Sequence, residues 1–306
     1  MGGQMKEPIE NQIKRTAKEK NAIILAHNYE PPEIQDIADL CGDSLELSIK
    51  ASRTSARIIV FCGVHFMAET ASILCPDKQV VLPVKDAGCP MADMVEPEEL
   101  AARKKELGNI PVITYVNSSA AVKAVSDVCC TSANVIRVVN SLEADEVLMC
   151  PDKNLARYAA AHTDKKIHLW EGFCPFHNRL TPEEVDAARK NHPHALFIAH
   201  PECPPEILEK ADSIESTSGM IKFAGKSHAK EFILGTETGL IHPISRANPG
   251  KKFFPVSDRM LCEDMKKIRL EHVLASLERP HDHEVRVDEN IRVKALGAVQ
   301  KMIGLG

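Results

Sequence analysis

None of the ten cysteines in this 306-residue sequence is spaced Cys-x-x-Cys from another, which removes the local signature of zinc ribbons and thioredoxin-type redox sites. Also missing is the closely spaced cysteine run through which electron-transfer iron–sulfur proteins hold their clusters. The opening segment, MGGQMKEPIENQIKRTAKEK, is polar and charged and lacks the apolar stretch of a secretory signal. No run approaches the roughly 18 apolar residues of a membrane span. Positive charge is not in excess: the formal net charge of −5 argues against a nucleic-acid partner. Low-complexity linkers are absent, so any subdomains should pack tightly. These absences lead to the expectation of a cytoplasmic chain with no membrane or nucleic-acid partner. There thiols are redox groups or metal ligands more readily than disulfides.

What is present is a triplication. Apolar β-type runs occur at residues 23–29 (IILAHNY), 111–117 (PVITYVN) and 196–202 (LFIAHPE), each followed by a helical-looking segment. Such alternation reads as buried parallel strands in βαβ units. His27, Tyr115 and His200 lie 88 and 85 residues apart, and Asp39, Asp127 and Asp212 keep the same offsets. So do Ser44, Ser132 and Thr217, in ADLCGDS, SDVCCTS and ADSIEST. A second strand set falls at 58–62, 146–150 and 231–235, and a third leads to Cys89, Cys174 and Cys262. A repeat this long exceeds a solenoid unit and fits a small α/β domain copied three times. The copies are read as 20–107, 108–191 and 192–278, with flanking helical segments at 1–19 and 279–306. The fold class is α/β: three pseudo-symmetric, Rossmann-like α/β/α repeats with parallel sheets and right-handed crossovers around a central site.

Parallel sheets bind ligands beyond the carboxyl ends of their strands, so three such edges would share one cavity. Only one cysteine set survives in all three copies. Cys41/Cys129 and Cys62/Cys150 are also in register, but Ile214 and Gly235 replace them in the third. Three converging thiolates suit an iron–sulfur cubane with one iron lacking a protein ligand, free to act as a Lewis acid; the other cysteines read as core filler. Ser44, Ser132 and Thr217 precede helices and read as N-caps, and helix N-termini aimed at the cavity would also attract phosphate or carboxylate. His27/Tyr29, Tyr115/Asn117 and His200/Glu202 are pairs at i and i+2, which share a strand face. With His177, three residues after Cys174, they form a set of proton-transfer groups.

These stretches resemble the quinolinate synthase (NadA) family. The similarity is carried by AHNYE, CGDS, GVHFMAETA, AGCPMADM, TYVNSSA, CCTSAN, EGFCPFH, HPEC, ESTSGM and GTETGLIHP, in order over nearly the whole chain. The resemblance implies a [4Fe–4S] cluster on Cys89, Cys174 and Cys262. It implies condensation of iminoaspartate with dihydroxyacetone phosphate to quinolinate, with loss of phosphate and two waters, in NAD biosynthesis. It also implies three similar α/β/α domains around the site, and a functional link to an aspartate-oxidising enzyme that supplies the imine. Family substrate contacts fall on His27, Tyr29, Ser44, Tyr115, Asn117, Ser132, His177, His200, Glu202 and Thr217. Proton carriage is assigned to Tyr29, Tyr115 or a histidine, and the late dehydration to Glu202 as base. Some relatives carry a Cys-x-x-Cys near the third ligand; RMLCEDM lacks it, so thiol–disulfide control there is not carried over.

Other readings are a zinc hydrolase using Cys174, His177 and a third ligand, an electron-transfer or radical iron–sulfur protein, and a metabolite-binding protein. The last accounts for the hydroxyls and leaves the cysteine triplet without purpose.

Overall fold

The structure, a computed structural model, describes residues 7–306. Three four-stranded sheets organise it. The first holds β1 (Ala22–His27), β2 (Leu40–Gly42), β3 (Ile58–Cys62) and β4 (Gln79–Val81). The second holds β5 (Val112–Tyr115), β6 (Val128–Cys130), β7 (Glu146–Cys150) and β8 (Lys166–Leu169). The third holds β9 (Leu196–Ala199), β10 (Ser213–Ile214), β11 (Glu231–Gly235) and β12 (Lys252–Pro255). Every named pair is parallel, and the spatial order repeats: β2-β1-β3-β4, β6-β5-β7-β8 and β10-β9-β11-β12. The fold is thus α/β, with three repeated parallel sheets flanked by helices.

Each sheet has one strand more than the sequence pattern suggests. The additional strands, β2, β6 and β10, are two or three residues long and sit at an edge. They are too short to carry a periodicity, so ADLCGDS and its counterparts look like loop. The cysteine of each copy therefore follows a fourth strand. Central strands are apolar on both faces, as in IIVFC of β3, which is buried throughout, because helices cover the sheet on each side.

The aspartates at the recurring offsets have a structural role. Asp39, Asp127 and Asp212 each accept a backbone N–H from among the first three residues of their copy's leading strand, from Ile24 (2.8 Å), Val112 (2.8 Å) and Phe197 (2.7 Å). The backbone N–H of each aspartate returns a bond to the carbonyl of that same residue, at 2.9, 3.0 and 2.8 Å. This reciprocal clamp fixes where each short edge strand starts, and hence the register of the loop that carries the cavity hydroxyl.

Among the described residues two α-helices, with a short 3-10 turn at Pro280–His283, lie outside the repeats. The one expected over 1–19 spans Ile9–Glu19, buries Ile13 and Ala17, and packs on Leu270–Glu278; residues 1–6 lie outside the described residues. Glu289–Gly304 packs against His65–Leu74 of the first copy and Ala120–Ala124 of the second. The Asn134 amide donates to the Met302 carbonyl at its end. One continuous apolar cluster includes residues of all three copies.

Removing one clamp should leave a strand N–H without its partner. Asp212→Ala is expected to lower stability by about 1–3 kcal/mol, read as an earlier urea-unfolding midpoint, with the far-ultraviolet circular dichroism of the native state unchanged.

Candidate active site and metal centre

In each sheet the chain leaves the first and third strands in opposite directions, and this is where parallel sheets form a ligand crevice. A cavity of about 310 Å³ lies there, bordered by residues of all three copies. Of the sequence-predicted residues, His27, Tyr29, Ser44, Cys89, Tyr115, Asn117, Ser132, Cys174, His200, Glu202, Thr217 and Cys262 line it. His177 does not; it is fully buried behind Glu202.

The tip residues reach the cavity by a different geometry from a strand face. β1 ends at His27 and β9 at Ala199, so Tyr29, His200 and Glu202 stand in turns. In those turns the imidazole bends back: the N–H of Tyr29 donates to His27 Nδ1 (3.2 Å), and that of Glu202 to His200 Nδ1 (3.4 Å). A ring nitrogen that accepts carries no proton, so the proton of each neutral ring is on Nε2. Burial holds both histidines down to about 3.

Glu202, 4 % exposed, is the electrostatic centre. The Tyr115 hydroxyl donates to Oε1 (2.6 Å) and His177 Nδ1 donates to Oε2 (2.6 Å). Burial alone would raise its pKa; the pull of His177 and His200, with these two bonds, overcomes that and holds the carboxylate below the usual range. A relay runs on from it: His177 Nε2 lies 3.0 Å from Thr236 Oγ1, which lies 2.5 Å from the Tyr29 hydroxyl. Burial, then the charge of Glu202, pushes both tyrosines well above the ordinary phenol value.

The hydroxyls are not caps. Asp43 caps Ser44–Arg53 through Leu45 and Glu46 N–H, and Ser216 caps Thr217–Lys226 through Gly219 N–H. Ser44 and Thr217 are therefore the first helical residues, and Ser132 sits two before Asn134, the residue at the N-cap position of Val135–Ser141. At Ser44 and Thr217 the side chain one residue earlier does the capping, and Ser132 lies outside its helix; all three hydroxyl residues line the cavity, where Thr217 Oγ1 accepts from the Asn28 amide (3.1 Å). Asn117 Oδ1 is buried without a protein partner, a state that costs free energy unless a ligand or water donates to it.

Among ten cysteines only Cys89, Cys174 and Cys262 border the cavity. Burial pushes all three thiols up, Cys262 to about 12. Backbone N–H groups act against it: those of Ala92 and Met91 at Cys89, His177 at Cys174, and Met265 and Asp264 at Cys262. Of the other seven, Cys203 alone has such a donor, and it lies away from the cavity. Buried soft donors with N–H groups turned to sulfur are the chemistry of a thiolate-bound metal centre. Cys174, His177 and Glu202 also offer ligand atoms within 4.8 Å of one another, enough to hold a metal ion.

Several site residues carry no clear sequence signal. Thr236 is in register with Pro151 and Gly63, so no triplet points to it. Arg179, among the described residues the only Lys or Arg bordering the cavity, follows Cys174 by five positions on the same turn. Lys266 reaches from the third copy to the Tyr29 carbonyl and pairs with Glu237 at 3.0 Å. Gly239 leaves room for it, since a Cβ there would stand 2.7 Å from Lys266 Nζ and from the Tyr29 oxygen.

A family model described as Quinolinate synthetase A protein matches residues 11–304. The chain is 55% identical over 294 residues to a quinolinate synthase of Methanosarcina barkeri, covering 96% of both chains. It is 52% identical to one of Geobacter sp. over 299 residues, 98% of both, and 51% identical to one of Alkaliphilus metalliredigens over 96% of this chain and 97% of that one.

The depressed histidines have a measurable consequence. Unfolding would let His27 and His200 take up protons near pH 6.5. Each therefore removes stability as pH falls from about 6.5 toward about 3, by up to about 1.4 kcal/mol per pH unit. The double variant His27→Gln/His200→Gln should flatten the decline in urea-unfolding free energy between about pH 7 and 5. An unchanged slope would count against uncharged imidazoles here.

Proposed function

We propose, because this chain belongs to the quinolinate synthase family, that its cavity condenses iminoaspartate with dihydroxyacetone phosphate and closes the pyridine ring. The step is a transferase-type carbon–carbon bond formation followed by loss of phosphate and water. The observation that carries the reading is that three copies each send one cysteine, and only one, to a single cavity furnished with a buried proton relay.

Cys89, Cys174 and Cys262 would hold a [4Fe–4S] cluster, and the donor set supports this. When bound, the cluster supplies an iron without a protein ligand, a Lewis acid for a substrate oxygen or nitrogen. His27 and His200 offer Nε2–H to substrate oxygens. Ser44, Ser132 and Thr217 offer hydroxyls, and Arg179 offers charge for a phosphate. Asn117 Oδ1 is free to accept from the amino or imine nitrogen. Tyr29 and Tyr115, kept as phenols, are the proton carriers at the reacting atoms. Tyr29 can take a substrate proton by passing its own to Thr236, and Thr236 its own to His177 Nε2. Glu202 then stabilises the imidazolium through the Nδ1–H bond. A strongly ionised carboxylate is a weak base alone, so the Glu202–His177 pair is the base assigned to the late dehydration.

The chain would work in the reducing cytoplasm, its imine coming from an aspartate-oxidising enzyme. A second reading has one specific support: Cys174, His177 and Glu202 are close enough for a single ion. Iron with acid-labile sulfide favours the cluster; zinc without sulfide favours the trio.

Cys174→Ala should give a folded, colourless protein without iron, sulfide or activity, and a variant that kept all three would exclude Cys174 as ligand. Tyr29→Phe and Glu202→Gln should retain full iron and sulfide while kcat falls on the order of a hundredfold or more. Near-normal turnover would remove either residue from the mechanism.

A further inference from the structure

Two buried carboxylates stand one repeat apart behind the cavity. Asp152 and Glu237 are 85 residues apart in the sequence. Each lies two positions past the third strand of its copy, since β7 ends at Cys150 and β11 at Gly235. Neither has any exposure. With one oxygen each starts the next helical turn: Asp152 Oδ1 accepts from Asn154 and Leu155 N–H (2.8 Å each), and Glu237 Oε2 from Gly239 N–H (2.6 Å). With the other oxygen each accepts the backbone N–H of its copy's cavity cysteine. Cys174 N–H meets Asp152 Oδ2 and Cys262 N–H meets Glu237 Oε1, both at 3.3 Å. A cap needs one oxygen; in both copies the second ties the strand tip to the cysteine loop, and that of Glu237 also pairs with Lys266 at 3.0 Å.

The first copy lacks the device. Its register position is Val64, which is apolar. There the N–H of Gly88, next to Cys89, donates instead to Asp264 Oδ1 (3.3 Å), two residues beyond Cys262.

We propose that Asp152 and Glu237 are positioning residues for the metal centre, fixing the peptides of Cys174 and Cys262 so that both sulfurs face the cavity. The proposal rests on the reading of these cysteines as cluster ligands. An amide replaces an acceptor with a donor, so Asp152→Asn can keep the cap while setting an N–H against the Cys174 N–H. Asp152→Ser keeps a good cap and is too short to reach the cysteine, which provides a second variant should the first fold poorly. Glu237→Gln tests the third copy.

Each variant, wild type and Cys174→Ala are reconstituted anaerobically with iron and sulfide, checked for fold by circular dichroism, and challenged with excess chelator. The positioning variants should load the cluster but release it on the order of tenfold faster or more, with an altered electron paramagnetic resonance spectrum of the reduced cluster. Wild-type release and spectrum in folded Asp152→Ser and Glu237→Gln, with the cluster lost in Cys174→Ala, would overturn the positioning role alone. Full iron and sulfide in Cys174→Ala would overturn the ligand reading, and the positioning role with it.

Discussion

A carboxylate held charged where water barely reaches is the constraint around which the centre of this molecule is arranged. Glu202, in the third copy of the repeat, is stabilised by two donors from the second: Tyr115 at the tip of its leading strand and His177 just after its cavity cysteine. An unpaired charge in such a place costs several kcal/mol, so the sheets cannot drift apart without exposing it or breaking its bonds. The same negative charge keeps the neighbouring phenols protonated. It also opposes ionisation of the thiol of Cys174. Compact packing, proton inventory and readiness for a metal are thus facets of one electrostatic arrangement.

Pseudo-symmetry supplies the geometry, and departures from it supply the chemistry. The Asp39, Asp127 and Asp212 clamps are the same in all copies because each serves only its own sheet. Tip residues differ: histidine, tyrosine and histidine at the first position, tyrosine, asparagine and glutamate at the second. A threefold-identical site would offer three equal groups, whereas unlike substrates need distinct donors and acceptors. The cysteines are the exception: each copy brings the same residue type to the cavity, which is what the equivalent iron corners of the proposed cluster would require.

Much of this was legible in the sequence because repeats turn position into information. Offsets of 88 and 85 residues single out the aspartates and the hydroxyls, separations of 85 and 88 the cysteine triplet, and the apolar runs of β1, β5 and β9 mark the leading strands. Legibility ended where interactions were short or crossed copies. Strands of two or three residues have no period to detect. Ser44 and Thr217 look like caps because capping chemistry is local and ambiguous by one residue, and Asp43 and Ser216 take the role. The relay through Thr236 joins residues 207 apart in the chain and has no register partner. Asp152 and Glu237 do share a register, yet differ in side-chain length and face a valine in the first copy.

The helix Glu289–Gly304 follows all three repeats in chain order and nevertheless seals the seam between the first two. During synthesis the earlier copies can form their own sheets as they emerge. The groove between them stays open until this late segment arrives. The shared chamber is therefore closed by a segment made after all three repeats, and its walls are complete only once that helix has docked.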